Sequence, residues 1–121
     1  MRAIEMTSFG GPDVLCLVDV PDPEPGAGQV RVRLHAAGVN PAETYIRTGT
    51  YAFLKPDLPY RPGWDGAGVV DRVGEGIADV NVGDRVFVAA LMDTSSTGTY
   101  AETVVCDAAS VHPLPETCSY A

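Results

Sequence analysis

Positive charge is scarce in this sequence. Eight lysines and arginines stand against 16 aspartates and glutamates, giving a net charge of -8 and a pI of about 4.4. Binding a phosphate backbone or an anionic membrane needs a surplus of lysine and arginine, so neither nucleic acid nor membrane is expected as a main partner. Cysteine is scarce too. Cys16, Cys106 and Cys118 are scattered, with no C-x-x-C spacing, which argues against both a disulfide framework and a zinc knuckle. No apolar run approaches the roughly 18 residues that a membrane span needs. There is no charged-then-apolar signal segment at the start, so a reduced, cytoplasmic setting is the expectation.

What is present fits a folded β-rich domain. Apolar residues make up 45% and mean hydropathy is +0.06, which is ordinary for a globular chain and not for a disordered one. The length of 121 residues suits one domain, residues 1–121. Thirteen glycines and ten prolines exceed the average share and favour short strands and turns over long helices.

Residues 62–88, PGWDGAGVVDRVGEGIADVNVGDRVFV, carry the densest glycine signal. Two valine-rich runs, 68–73 and 85–88, read as strands, with turns at 74–76 and 82–85. Glycine serves such turns because it takes positive φ without steric cost. The spacing Gly63-x-x-Gly66-x-Gly68 precedes a strand, whereas a phosphate cradle lies between a strand and a helix. Turns and close backbone packing are therefore the preferred reading.

Elsewhere, residues 1–6 and 14–18 read as two strands hairpinned through a turn at 9–13. Residues 21–26 form a proline-rich connection. Residues 29–36 (QVRVRLHA) alternate cleanly: Val30, Val32 and Leu34 face the core, and Arg31, Arg33 and His35 face a wetter side. The helix signal lies at 41–48. Asn40 can cap, Pro41 suits the first helical position, Glu43 sits three residues after the cap, and Gly49 ends it. Residues 51–60 read as a loop and 94–98 as a polar loop. Strands are expected at 100–106 and 111–114. Seven or eight short strands with one short helix predict a mainly β fold, a barrel or partly open sandwich.

The order of these pieces resembles the N-terminal, GroES-like domain of medium-chain dehydrogenases/reductases, in the zinc-free quinone oxidoreductase (zeta-crystallin-like) branch. The resemblance rests on Phe9-Gly10-Gly11-Pro12, on the block from Gly38 to Tyr51 (GVNPAETYIRTGTY), and on Leu58-Pro59, Pro62-Gly63, Ala67-Gly68 and Val73-Gly74. Gly83-Asp84-Arg85-Val86 and Gly98-Thr99-Tyr100-Ala101-Glu102 complete it. It implies a GroES-like, partly open β-barrel with one short helix, and it covers nearly the whole chain. Zinc alcohol dehydrogenases place cysteine after the Gly-Val pair and Gly-His-Glu at the start of the glycine-rich stretch. This chain has Asn40 and Gly63-Trp64-Asp65 there. Asparagine and tryptophan are poor zinc ligands, so no metal is expected.

The resemblance further implies NADPH-dependent hydride transfer to a quinone or enone, with the cofactor supplying the hard chemistry. Enzymes of this kind carry a Rossmann domain after the GroES-like part. That domain is absent from this chain, so tight cofactor binding and activity are not expected of the 121 residues alone, and whether they form an enzyme by themselves stays open. Asn40, Tyr45 and Tyr51 match the family's cleft positions. Tyr51 is the candidate acid or hydrogen-bond donor, because a phenol is protonated at neutral pH and can stabilise charge building on a substrate oxygen. Asn40 is the second catalytic candidate.

Plainer roles stand beside these. Asn40 caps the helix, Tyr45 packs on it, and Arg47 is a solvated helix end or pairs with a cofactor phosphate. Trp64 fills the space of a metal and its ligands, and Asp65 hydrogen-bonds nearby backbone. His35 and His112 are isolated strand residues, and the cysteines are inert. Relatives imply a homodimer. The alternative is a stand-alone GroES-like module that binds a small molecule or a protein. A co-chaperonin is argued against because residues 21–29 hold no long mobile loop with an aliphatic tripeptide.

Overall fold

The computed structural model describes residues 1–90 and 96–121. Among these the chain forms seven strands and one α-helix. In order they are β1 (Arg2–Glu5), β2 (Cys16–Asp19), β3 (Gln29–Ala37), α1 (Pro41–Thr48), β4 (Asp65–Val73), β5 (Arg85–Ala89), β6 (Thr103–Asp107) and β7 (Val111–Pro113). β1 and β2 form an antiparallel ribbon in which Arg2 faces Asp19 and Glu5 faces Cys16. The other five make one antiparallel sheet in the order β6-β3-β4-β5-β7. Single bridges, Ala3 to Ala101 and Met6 to Tyr60, join the ribbon to the rest. The barrel is therefore partly open.

Valine builds the core. Val30 and Val32 of β3, Val70 of β4, Val86 and Val88 of β5, and Val104 of β6 are all buried, with Cys106 among them. β-branched side chains are stiff at χ1 and pack well on a pleated surface. The expected alternation of β3 holds for Val30 and Val32 but not for Arg31, which is only 7% exposed. Its Nε and Nη2 donate to the two carboxylate oxygens of Asp71 on β4, at 2.8 and 3.2 Å, and Nη1 donates to the Pro23 carbonyl at 3.1 Å. The charge is buried because it is paired across the strands, and that pairing holds its pKa above the ordinary value.

Three boundaries moved. Residues 12–14 make a 3-10 turn with Pro12 at its start, so β2 begins at Cys16. Tyr100 and Ala101 bridge to other segments, so β6 begins at Thr103. β4 starts at Asp65, three residues early, because Gly66 too is a strand residue, with the Ala36 carbonyl of β3 close to where its Cβ would stand. A Cβ on Gly68 would overlap the Arg33 carbonyl of β3, so these glycines permit close approach of two backbones. Thr94 and Ser95 of the expected polar loop lie outside the described residues.

The tail is tied to the sheet by Arg85. Its Nε donates to the Tyr120 hydroxyl at 3.0 Å, Nη1 to the Pro115 carbonyl at 3.2 Å, and Nη2 to the Cys118 carbonyl at 2.7 Å. The Tyr120 ring also stacks on His35, at 4.3 Å between centroids, and His112 stacks on Phe87 at 5.0 Å. Neither histidine is isolated. Among the described residues no helix is long and apolar enough to cross a membrane.

Candidate functional site

Helix α1 has the predicted bounds, and local chemistry sets both ends. At its start the Asn40 N–H donates to Glu43 Oε2 at 2.9 Å, the return bond of a capping box. At its end Gly49 takes φ of 76°, and its N–H returns to the Ile46 carbonyl at 2.9 Å. Ile46 is buried and anchors the helix. Thr50 and Tyr51 then hang from the Tyr45 carbonyl through their N–H groups, at 2.9 and 3.2 Å, which fixes where the Tyr51 ring leaves the helix.

Tyr51 is half-buried. Its ring stands edge-on to Phe53 at 5.6 Å and tilted against Trp64 at 5.8 Å. Trp64 is followed by Asp65, and Asp65 Oδ1 accepts from Asn40 Nδ2 at 2.6 Å. Asp65 therefore bonds a side chain, where nearby backbone was expected as its partner. Asn40 and Tyr51 thus flank the two ends of helix α1, one bonded to Asp65 and the other against the preceding residue, Trp64. The structure leaves the other two candidates apart. Tyr45 is 55% exposed, with no ring contact among the described residues. Arg47 is half-buried, not a solvated helix end. Its Nε donates to the Gly10 carbonyl at 3.2 Å, and its own carbonyl accepts the Gly10 N–H at 2.9 Å. A shallow groove of about 580 Å3 passes Gly38, Asp65, Phe87 and Tyr120, so the Asn40–Asp65 pair sits at its edge.

The sequence reading missed how Glu43 is used. It is only 6% exposed, and its Oε2 accepts the Tyr100 hydroxyl at 2.7 Å as well as the Asn40 N–H, while Oε1 is buried with no hydrogen-bond partner among the described residues. Only the capping-box position hinted at this acid, and Tyr100 is 57 residues away in sequence. Burial pushes the Tyr100 phenol up, and the Glu43 bond and charge push it further. Tyr60 is likewise raised, first by burial, with the Glu43 charge adding to it. Because Tyr100 stays protonated in the fold above the pH of about 10 at which an unfolded phenol ionises, its contribution is complete below that pH and falls above it. Denaturant midpoints taken from neutral to strongly alkaline pH should therefore decline, and Tyr100→Phe should flatten that decline. Equal slopes would count against the Glu43–Tyr100 bond.

The glycine-rich stretch does not form a pyrophosphate cradle, since Gly66 and Gly68 lie inside β4 against β3. Nor do three His, Cys, Asp or Glu side chains converge among the described residues.

A mainly antiparallel β fold with one capped helix belongs to a known class. Residues 26–116 match the alcohol dehydrogenase GroES-like domain, and the chain belongs to that family. Within it, the chain is homologous over nearly its whole length to quinone oxidoreductases of the medium-chain dehydrogenase/reductase superfamily. It is 48% identical to quinone oxidoreductase of Rattus norvegicus over 121 residues, 99% of this chain and 35% of that one. It is 50% identical to that of Homo sapiens over 119 residues, 96% of this chain and 34% of that one. The Escherichia coli quinone oxidoreductase complexed with NADPH superposes with a TM-score of 0.89 at 33% identity, covering 99% of this chain and 35% of that one. The chain thus spans about a third of the length of the curated relatives it matches.

Proposed function

We propose that this chain forms the substrate-side wall of an NADPH-dependent, zinc-independent quinone or enone oxidoreductase. Its second half would be a Rossmann domain that these residues do not include. The observation that carries the reading is the pair of contacts Tyr51–Trp64 and Asn40–Asp65, made to two successive residues, on a chain homologous throughout to quinone oxidoreductases. NADPH supplies the hydride when the second half holds it. In this chain, the half-buried face of Trp64 and the exposed Phe53 offer stacking surface to a flat ring. Tyr51 and Asn40 offer donors to a substrate oxygen as negative charge builds on it. Arg47, tied to Gly10, and the exposed Tyr45 would border the bound cofactor and substrate. The protein would be cytoplasmic and, in its longer form, a homodimer.

Zinc independence follows from ligand chemistry. Asn40 offers only a neutral amide oxygen, a weak zinc ligand beside a thiolate or an imidazole, and an indole has no lone pair to give a metal. Metal analysis of the purified chain should find no stoichiometric zinc, and one zinc per chain would overturn this part of the reading. For the cofactor, NADPH fluorescence should not respond to the 121 residues alone and should respond once a Rossmann half is joined to them. Tight binding by the chain alone would show that the cofactor site was misplaced. The alternative, a stand-alone binding module, predicts no quinone reduction in either form.

A further inference from the structure

The amide of Asn40 has two ends of nearly the same shape and opposite chemistry: the nitrogen donates twice and the oxygen accepts. Such a group can turn end for end at little steric cost unless a neighbour decides between the two. Asp65 decides here, because a carboxylate only accepts, and it stands 2.6 Å from Nδ2. The carboxylate is itself held in place. Asp65 opens β4, its carbonyl accepts the Gly38 N–H at 3.0 Å, and its side chain packs where a Cβ on residue 38 would overlap it. From the other side, Glu43 Oε2 holds the Asn40 backbone N–H while it accepts the Tyr100 hydroxyl. Asn40 is thus fixed at backbone and side chain. One hydrogen on Nδ2 has no partner among the described residues.

We propose that Asp65 is a positioning residue that pins the amide nitrogen of Asn40, making it a fixed N–H donor whose free hydrogen takes the carbonyl oxygen of the quinone or enone. The pinning stands on the geometry, and the ligand rests on the function proposed above. The negative partner also strengthens the donor, since hydrogen bonds in a chain polarise one another. It also gives residue 38 a reason to be glycine, since a Cβ there would overlap the Asp65 carboxylate.

Nuclear magnetic resonance of the 121-residue chain reads the pinning directly. One Asn40 side-chain amide proton should lie downfield of an ordinary asparagine pair. Asp65→Ala should return the pair to ordinary shifts, and so should Gly38→Ala, which evicts the carboxylate. Asp65→Asn keeps an acceptor oxygen and should preserve part of the displacement. In the enzyme with its Rossmann half, Asp65→Ala should lower kcat for a para-quinone about tenfold with the KM for NADPH unchanged. On an Asn40→Ala background it should cost nothing further, because both changes remove the same donor. Amide shifts that ignore Asp65→Ala, or kinetic losses that simply multiply, would overturn the proposal. A wild-type enzyme that reduces no quinone would instead overturn the proposed function, since the amide signal reports the pinning without turnover.

Discussion

Gly68→Ala should cost the chain a large share of its stability. Gly68 lies within β4, paired with Leu34 of β3 on one side and Val86 of β5 on the other. A methyl group there meets the Arg33 carbonyl, and the atoms behind it are backbone, not the yielding end of a side chain. Relief requires β3 and β4 to separate. Both strands carry core valines, and Arg31 bridges them to Asp71. Overpacking costs about 1–3 kcal/mol where side chains can shift, and here the backbone must shift instead. We therefore expect a loss of about 3 kcal/mol or more, a large share of the roughly 5–15 kcal/mol that holds a domain together. Urea denaturation by circular dichroism checks it. A midpoint within error of the wild type would mean that the two strands are not packed as described.

The second large effect is on turnover. In the enzyme completed by its second half, Tyr51→Phe should lower kcat for a quinone about 100-fold, the lower range for a positioned proton donor. Folding should not change. The Tyr51 ring contacts with Phe53 and Trp64 survive in phenylalanine, and the residue's hold on the helix end is through its backbone N–H. Steady-state kinetics beside denaturant melts separate the two effects. Unchanged kcat would make Tyr51 a packing residue, and a parallel fall in stability would mean the hydroxyl has a structural partner.

How much of this could be read in the sequence depended on distance along the chain. Helix α1 was legible to the residue because Asn40, Pro41, Glu43 and Gly49 all act within one or two turns. β3 was legible as a strand for the same reason, since alternation is local. The burial of Arg31 was not, because its partner Asp71 is 40 residues away. The beginning of β4 was misjudged because glycine serves turns and close approach alike, and only the Ala36 carbonyl behind Gly66 separates the two uses. The site shows the same division. Asn40 and Tyr51 stood out through a family pattern. The Asp65 contact to Asn40 and the Tyr100 contact to Glu43 join residues far apart in sequence, for which spacing offers no signal.

The place of β6 at the edge of the sheet has a consequence for synthesis. β3 emerges early, yet one of its two neighbours, β6, is made only after β4 and β5, and Val32 must wait for Val104. The first strand waits as well, because Ala3 bridges to Ala101 and the Arg2 side chain binds Glu102. Non-local pairing of this kind folds slowly, since the loop must close before the contacts repay it. During translation the edge of β3 that β6 will cover stays bare until residues 103–107 have left the ribosome. That valine-rich edge is where a nascent chain is most exposed to aggregation and where a chaperone would find its grip.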